Sequence, residues 1–348
     1  MCSSSFVSRA VCVFIERPRL TTMWKSAAMT VLSYEDIAKL ISIGEVIELM
    51  RELFAEVGRN QVVLPERTVI DLPNDGTVLF MPAYVPNVGG IGVKIVSVFP
   101  HNLEKGIPTV NAQVLLTDPE TGRIMAIMDG TMITALRTAA VSALATDLLA
   151  VKGAERLGVL GAGVQARAHI NALLRIRKIR QILIYSLEFE KSESLAREFG
   201  RSTSSSFVSR GVRSAEEVVN HSDIIVTATT SHAPVLHGNL LRDGTHINAI
   251  GSFKPHTREV DDETIQRSRI FVDLRAAALK EAGDLLIPMS NGVISESDIA
   301  ADLGELVLGV RPGRQNDKEI TFFKSVGLAV EDIIVAKRIF DRVELHSF

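Results

Sequence analysis

Cysteine is almost missing: Cys2 and Cys12 are the only two in 348 residues, and both lie in an N-terminal stretch unlike the rest. The body of the chain therefore has no disulfide and no thiolate metal site, which fits a reducing compartment and makes the cytoplasm the expected location. Basic residues are not in excess either, with 38 Lys and Arg against 41 Asp and Glu, and this removes the electrostatic footprint of a nucleic-acid partner. No run of apolar residues reaches the length of a membrane span, so no membrane partner is expected. No serine stands in a G-x-S-x-G elbow, which argues against nucleophilic hydrolysis. The histidines are scattered without metal-ligand spacing; no metal is expected, and His169, His246 and His256 read as structural or exposed.

Residues 1–29 are the atypical part. Arg9, Arg17, Arg19 and Lys25 face only Glu16 there, serines are frequent, and Trp24 is the only tryptophan. The segment resembles an organelle transit peptide, and an over-long start ahead of Met23 or Met29 would look the same. SSSFVSR occurs at Ser3 to Arg9 and again at Ser204 to Arg210, a coincidence too short to be a structural repeat.

What the chain does carry is a strand, a glycine turn, a helix and a second strand between Arg156 and Ser186. Leu157 to Leu160 is the short apolar run of a strand buried on both faces. Gly161, Gly163 and Ala166 follow as G-x-G-x-x-A, and Ile182 to Tyr185 is the second apolar run. In a dinucleotide fold Gly161 permits the tight turn and Gly163 lets the backbone approach a pyrophosphate. Ala166 lets the helix pack close, with its N-terminal N–H groups facing the phosphates. The flanking elements make this a specific signal for NAD or NADP. Ser186, where NAD enzymes place an acid, removes the repulsion of a 2′-phosphate, but no arginine follows to attract one. The choice between the two cofactors stays open.

Around this unit the pattern divides the chain. Ser33 to Asp36 and Ser42 to Glu45 read as capping boxes of two entry helices. VVLPERTVIDL, TVLFMPAYV, GGIGVKIVSVF and TVNAQVLLTD then read as strands of an antiparallel meander, and a helix follows over Thr131 to Ala150. After residue 150, Asp223 to Thr227, Thr245 to Ile250 and Arg269 to Asp273 read as further buried strands separated by helices, as in a doubly wound parallel sheet. The tail reads as a strand, a turn at Ser325-Val326-Gly327 and an amphipathic helix, with Glu331 and Asp332 on its solvated side. The expected fold is α/β: a Rossmann-type doubly wound sheet over 151–310, with an α+β substrate and dimerisation domain over 30–150. Residues 311–348 are expected to return to that second domain.

Three basic residues sit inside otherwise apolar segments of the first half: Arg67, Lys94 and Arg137. One alone would be read as snorkelling to solvent. Three beside a dinucleotide site point to a shared anionic ligand, since such groups are rarely buried unpaired.

The motifs PERTVIDL, GIGVKIVSVFP, KGIPTVNAQVLL, DGTMITALRTAAVSALA, VLGAGVQARAH, THINAIGS and SVGLAVEDIIVAKRIF, in that order, resemble the ornithine cyclodeaminase/mu-crystallin family. The resemblance implies a homodimer and an NAD(P)H-dependent oxidoreductase acting on a small carboxylate-bearing imino or amino acid. Arg67 and Arg137 match positions that grip the carboxylate, and Lys94 one that serves the substrate nitrogen as donor or proton relay. Burial beside two arginines should lower the pKa of Lys94. Thr109, Arg137, Thr138, Gly161, Gly163, Val164, Gln165, Ser186, Thr227, Ile250, Gly251, Ser252, Phe253 and Ser325 fall where the family meets the nucleotide. Members that deaminate ornithine carry an acid in the loop after the fifth strand, where this chain has Phe253. That departure favours reduction of a cyclic imine such as pyrroline-2-carboxylate. Alanine dehydrogenase, ornithine cyclodeaminase and a nucleotide-dependent hormone-binding protein are the rival readings.

Overall fold

A computed structural model describes residues 29–73, 75–200 and 207–346, so all but the last residue of the leader-like segment lies outside the described residues. The first unit runs β1 (Thr30–Leu32), α1 (Tyr34–Leu40), α2 (Ile43–Gly58), β2 (Thr68–Leu72), β3 (Gly76–Val85), β4 (Gly90–Val98), β5 (Val110–Thr117), β6 (Ile124–Asp129) and α3 (Gly130–Leu149). Its sheet has six strands in the order β1-β6-β5-β4-β3-β2. The meander is antiparallel as the turns predict, and β1, which the pattern did not reveal, adds to β6 in parallel.

The expected strand VVLPERTVIDL is shorter than its apolar pattern. Pro65 cannot donate to a ladder, and only Thr68–Leu72 pairs, while Val63 makes an isolated bridge to Tyr84. Arg67 thus precedes the strand rather than standing in it. Ser33 and Asp36 form the reciprocal cap of α1, but Ser42 caps α2 alone. The Glu45 carboxylate goes instead to Arg338 and Arg342, tying α2 to the last helix.

The second unit is β7 (Arg156–Leu160), α4 (Val164–Ile176), β8 (Gln181–Tyr185), α5 (Phe189–Gly200), β9 (Val208–Val212), α6 (Ala215–His221), β10 (Ile224–Thr227), β11 (His246–Ala249), α7 (Asp262–Gln266), β12 (Ser268–Val272), α8 (Arg275–Glu281), α9 (Gly283–Ser290), β13 (Ile299–Asp302), α10 (Leu303–Val307), β14 (Ile320–Lys324) and α11 (Ala329–His346). Eight parallel strands lie in the order β13-β12-β14-β11-β10-β7-β8-β9. Strands after β7 first run to one side and then to the other, so the switch point, where such sheets receive ligands at their carboxyl ends, falls between β7 and β10. β9 and β13 escaped the sequence reading because both are short edge strands.

The tail does not leave as one piece. β14 is inserted into the parallel sheet between β11 and β12, and only α11 returns to the first unit, where it packs on β3, β4, β5 and α3. The helix α3 is long and apolar enough by length and composition to cross a membrane, but Arg137 and Asp147 interrupt its apolar residues and 72% of that window is buried, as in a core helix. Its alanines meet α2, α4 and α11, and one apolar core runs from α2 through α3 and α11 to Phe271 and Phe323 of the second sheet.

Candidate active site

The glycine turn forms as its residues require. Gly161 has φ +116, and a Cβ there would collide with the Ala228 carbonyl at the end of β10, so this residue sets the crevice between β7 and β10. Gly163 is the N-cap of α4; it has no side-chain capping bond, and a Cβ placed on it would meet nothing within 4 Å. The first-turn N–H groups of α4 have no side-chain cap and carry the positive end of a thirteen-residue helix. Val164 is exposed, Ala166 is fully buried against the sheet, and the Gln165 side-chain oxygen is buried without a partner. This cradle suits a pyrophosphate.

The other expected nucleotide contacts follow along neighbouring carboxyl ends. Ser186 follows β8, and its hydroxyl donates to the Glu188 carbonyl. Thr227 ends β10 and donates to Glu259, which also accepts from Thr229 N, Thr229 Oγ1 and Gly251 N, all at 2.7 Å. One buried carboxylate thus ties the loops after β10 and β11. In the second of these, Ile250 N donates to the Thr227 carbonyl, Ser252 is buried and bonded to Thr257, and Phe253 is half-buried. Ser325 follows β14 and donates to Asp273. Thr138 lies buried in α3 with its hydroxyl on the Thr134 carbonyl, and Thr109 lies in the turn leading into β5. The hydroxyls of Ser186, Thr138, Thr227, Ser252 and Ser325 are thus engaged within the protein.

Arg67, Lys94 and Arg137 do converge, but in company that the sequence reading did not assign. Lys94 on β4 is 2% exposed, and its ammonium lies 2.6 Å from Asp332 Oδ2 and 3.4 Å from Thr134 Oγ1. Arg137 on α3 donates through Nη1 to Glu331 at 2.7 Å and through Nε to Asp332 at 3.2 Å. Arg67 pairs with Glu281 of α8 at 3.0 Å and donates to the Gly327 carbonyl at 2.6 Å. Gly327 has φ +78, and a Cβ there would run into the Arg137 guanidinium, so this glycine lets both arginines approach the same turn.

Glu331 and Asp332 are therefore not solvated, as expected from the sequence, but fully buried. The helix is buried all round this turn, since Val330, Ile333, Ile334 and Val335 are buried with them. Each such aliphatic side chain contributes about 1.5–3 kcal/mol. Two unpaired carboxylates would cost several kcal/mol each, and Arg137, which bonds both, and Lys94 offset that cost when the helix docks. The signal was present: Glu331 and Asp332 stand between Leu328-Ala329-Val330 and Ile333-Ile334-Val335, which leaves no polar face for them to join.

Burial lowers Lys94 to about 8, opposed by Asp332 and assisted by Arg137. Burial lifts Glu331 to about 7 against the pull of Arg137, with Asp273 and Asp332 pushing the same way as burial. Glu281 is likewise raised by burial, with Arg67 opposing. A cavity of about 400 Å³ opens beside the cluster, between the units, lined by Arg67, Met81, Leu274, Ala277, Glu281 and Leu328 among others. Met81 is the β3 register partner of Lys94. His169 and His246 are buried and bonded to Ser142 and Thr321; burial lowers them to about 4 and about 3, so both are neutral structural groups.

A second ionic group missed in the sequence lies under the parallel sheet's carboxyl edge. Lys324, fully buried at the end of β14, pairs with Asp284 at 2.8 Å and donates to the Ser252 carbonyl, while Asp284 accepts from Glu259 N.

Residues 27–347 match the sequence profile of the ornithine cyclodeaminase/mu-crystallin family. A Delta(1)-pyrroline-2-carboxylate reductase of Bacillus cereus is 37% identical over 320 residues, covering 90% of this chain and 96% of the relative. Ketimine reductase mu-crystallin of Mus musculus is 39% identical over 284 residues, 80% of this chain and 85% of the relative. The solved structure of Thermococcus litoralis Delta(1)-pyrroline-2-carboxylate reductase with NADH and L-proline superposes with a TM-score of 0.88 at 42% identity, covering 92% of this chain and 98% of that one. With fold, glycine cradle and profile in agreement over nearly its whole length, the chain belongs to the ornithine cyclodeaminase/mu-crystallin family.

Proposed function

We propose that this protein is an NAD(P)H-dependent reductase of a small cyclic 2-imino acid of the pyrroline-2-carboxylate or ketimine type, giving the amino acid. The observation that carries this reading is the buried ammonium of Lys94, 2.6 Å from Asp332 and in one ionic cluster with Arg137, where burial lowers its pKa to about 8. A general acid works best with a pKa near the operating pH, and hydride adds more readily to an imine whose nitrogen is protonated.

The dinucleotide supplies the hydride when bound. The turn at Gly161 and Gly163, with the first turn of α4, would hold its phosphates, and the loops at Thr227 and Ile250 to Phe253 would meet the rest of the nucleotide. Arg67 and Arg137 would take the substrate carboxylate, because a planar fork of donors matches two carboxylate oxygens. Lys94 would give its Nζ proton to the imine nitrogen. Orientation by the two arginines converts a random encounter into an aligned one. Phe253 cannot accept a proton, which supports simple reduction over deamination of an open-chain diamine. Two copies joined through the first unit are part of the same proposal, resting on the family resemblance.

The test follows reduced-nicotinamide absorbance with NADH and NADPH separately against pyrroline-2-carboxylate, piperideine-2-carboxylate, and pyruvate with ammonia, alongside NAD⁺ with ornithine. Oxidation with a cyclic imine is expected. Turnover only with pyruvate and ammonia would make the protein an alanine dehydrogenase, and proline formed from ornithine would overturn the argument from Phe253.

A further inference from the structure

The site expected to bind an anion is not a basic pocket. Around Gly327 three cations, Arg67, Lys94 and Arg137, meet four carboxylates: Asp273, Glu281, Glu331 and Asp332. Each cation already has an acidic partner at 3.0 Å or less. The fourth carboxylate, Asp273, is held by Ser325 Oγ and by the N–H groups of Val326 and Gly327. With every group ionised the cluster carries one negative charge in excess, and a substrate carboxylate would add another. Such a site cannot accept an anion in a region of low dielectric without a compensating proton.

We propose that binding of the substrate carboxylate is coupled to uptake of one proton from solvent, and that Glu331 is the group that receives it. The inference rests on the reductase reading above. Glu331 is the carboxylate that occupies Nη1 of Arg137, one of the donors of the guanidinium proposed to take the substrate carboxylate. Once protonated, it releases Arg137 to the ligand and removes the excess charge in one step. No bond other than O–H forms, and the buffer supplies the proton.

The groups facing Glu331 all bear on its titration. Arg137 on α3 and Lys94 on β4 favour its ionised form, and the Leu328 N–H donates to it; Asp273 after β12 and Asp332 on its own helix disfavour that form. The balance already sets Glu331 near neutrality before ligand arrives. A further negative charge 3–4 Å away raises it more. Asp332 is shared between Lys94 and Arg137, and Glu281 faces Arg67, whereas Glu331 is paired with Arg137 alone.

The experiment is isothermal titration calorimetry of the full chain, loaded with NADH, whose nicotinamide is neutral, with pyrrole-2-carboxylate as probe. This anion has no basic nitrogen and no reducible C=N bond, so any proton taken up goes to the protein. Titrations in phosphate, HEPES and Tris separate proton transfer from binding heat through the buffers' ionisation enthalpies. At pH 7.5 Lys94 mostly carries its own proton, and roughly half to three quarters of a proton should be taken up per ligand; at pH 6 the uptake should fall toward zero because Glu331 is already protonated. Glu331→Gln should bind the probe with little uptake at either pH.

Binding whose heat is the same in all three buffers at pH 7.5 overturns the proposal. Uptake that persists in Glu331→Gln overturns the assignment to Glu331. The contrast between the two pH values in the unaltered protein decides the matter even where the variant does not fold. Absence of binding heat together with absence of imine turnover would instead overturn the reductase reading, and this inference with it.

Discussion

The two walls of the crevice are built on opposite principles. The nucleotide side, at Gly161 and Gly163, is made by leaving things out: no side chains, no cap on α4, open space over the backbone. The substrate side is made by crowding, with seven ionisable groups packed around Gly327 and nearly all buried. A backbone cradle needs no partner and is tolerant of what binds. A crowded ionic site must be neutralised internally to fold at all, and therefore exchanges partners when a ligand enters. The first wall selects by shape, whereas the second couples binding to protons.

The largest effect that would test this contrast is expected from Lys94→Ala. Removal of a positioned proton donor should lower imine reduction by about 10²–10⁴-fold, while NADH affinity, measured by titration of the bound cofactor's fluorescence, stays within about twofold because the cradle is untouched. Equal losses in both would show that the walls are one structure.

Next come the two glycines, which the same substitution should separate. Gly161→Ala meets the Ala228 carbonyl at a positive φ, and a loss of about 2–4 kcal/mol of stability is expected in denaturant unfolding. Gly163→Ala meets nothing, so unfolding should be nearly unchanged and only dinucleotide affinity should fall. A stable Gly161→Ala protein would show that the loop can move away from β10.

A smaller effect concerns pH. Lys94 acts in its protonated form, so kcat/KM should decline as pH rises through about 8. Asp332 raises the pKa of Lys94, and Asp332→Asn should therefore move this decline to lower pH. A profile unchanged in that variant would remove Lys94 as its source. The smallest change is expected on the open side: Ser186→Asp should raise KM for NADPH about tenfold and leave KM for NADH near its original value, because a carboxylate repels a 2′-phosphate.

The same contrast explains what was legible in the sequence. The glycine turn could be read because its signal is local: within some thirty residues, strand, turn, helix and strand agree. Arg67, Lys94 and Arg137 could be singled out because each interrupts an apolar pattern. Their partners could not, since the pairs that matter span Lys94 to Asp332 and Arg137 to Glu331, and charge complementarity at such separations leaves no periodicity. Adjacent acids on a helix are ordinarily a wet face, and that prior prevailed over the apolar residues on both sides of Glu331 and Asp332. Glu259 and Lys324 were hidden for the same reason, as each is explained only by the loops and strands it joins. The edge strands β1, β9 and β13 were missed because three to five residues at a sheet margin carry too little alternation to register.

The insertion of β14 between β11 and β12 also fixes when this protein can be completed during its synthesis. A chain ending before Ile320 would leave the parallel sheet split, with β12 and β13 lacking their link to β11. It would also lack α11, the lid over β3 and β4 that supplies Glu331 and Asp332. Neither half can close around its own core while the other half waits in the ribosome, so the usual route of finishing one unit before the next does not apply. The last thirty residues act as a zip fastener for both halves, and the long sequence separations they join predict slow folding that ends in one concerted step.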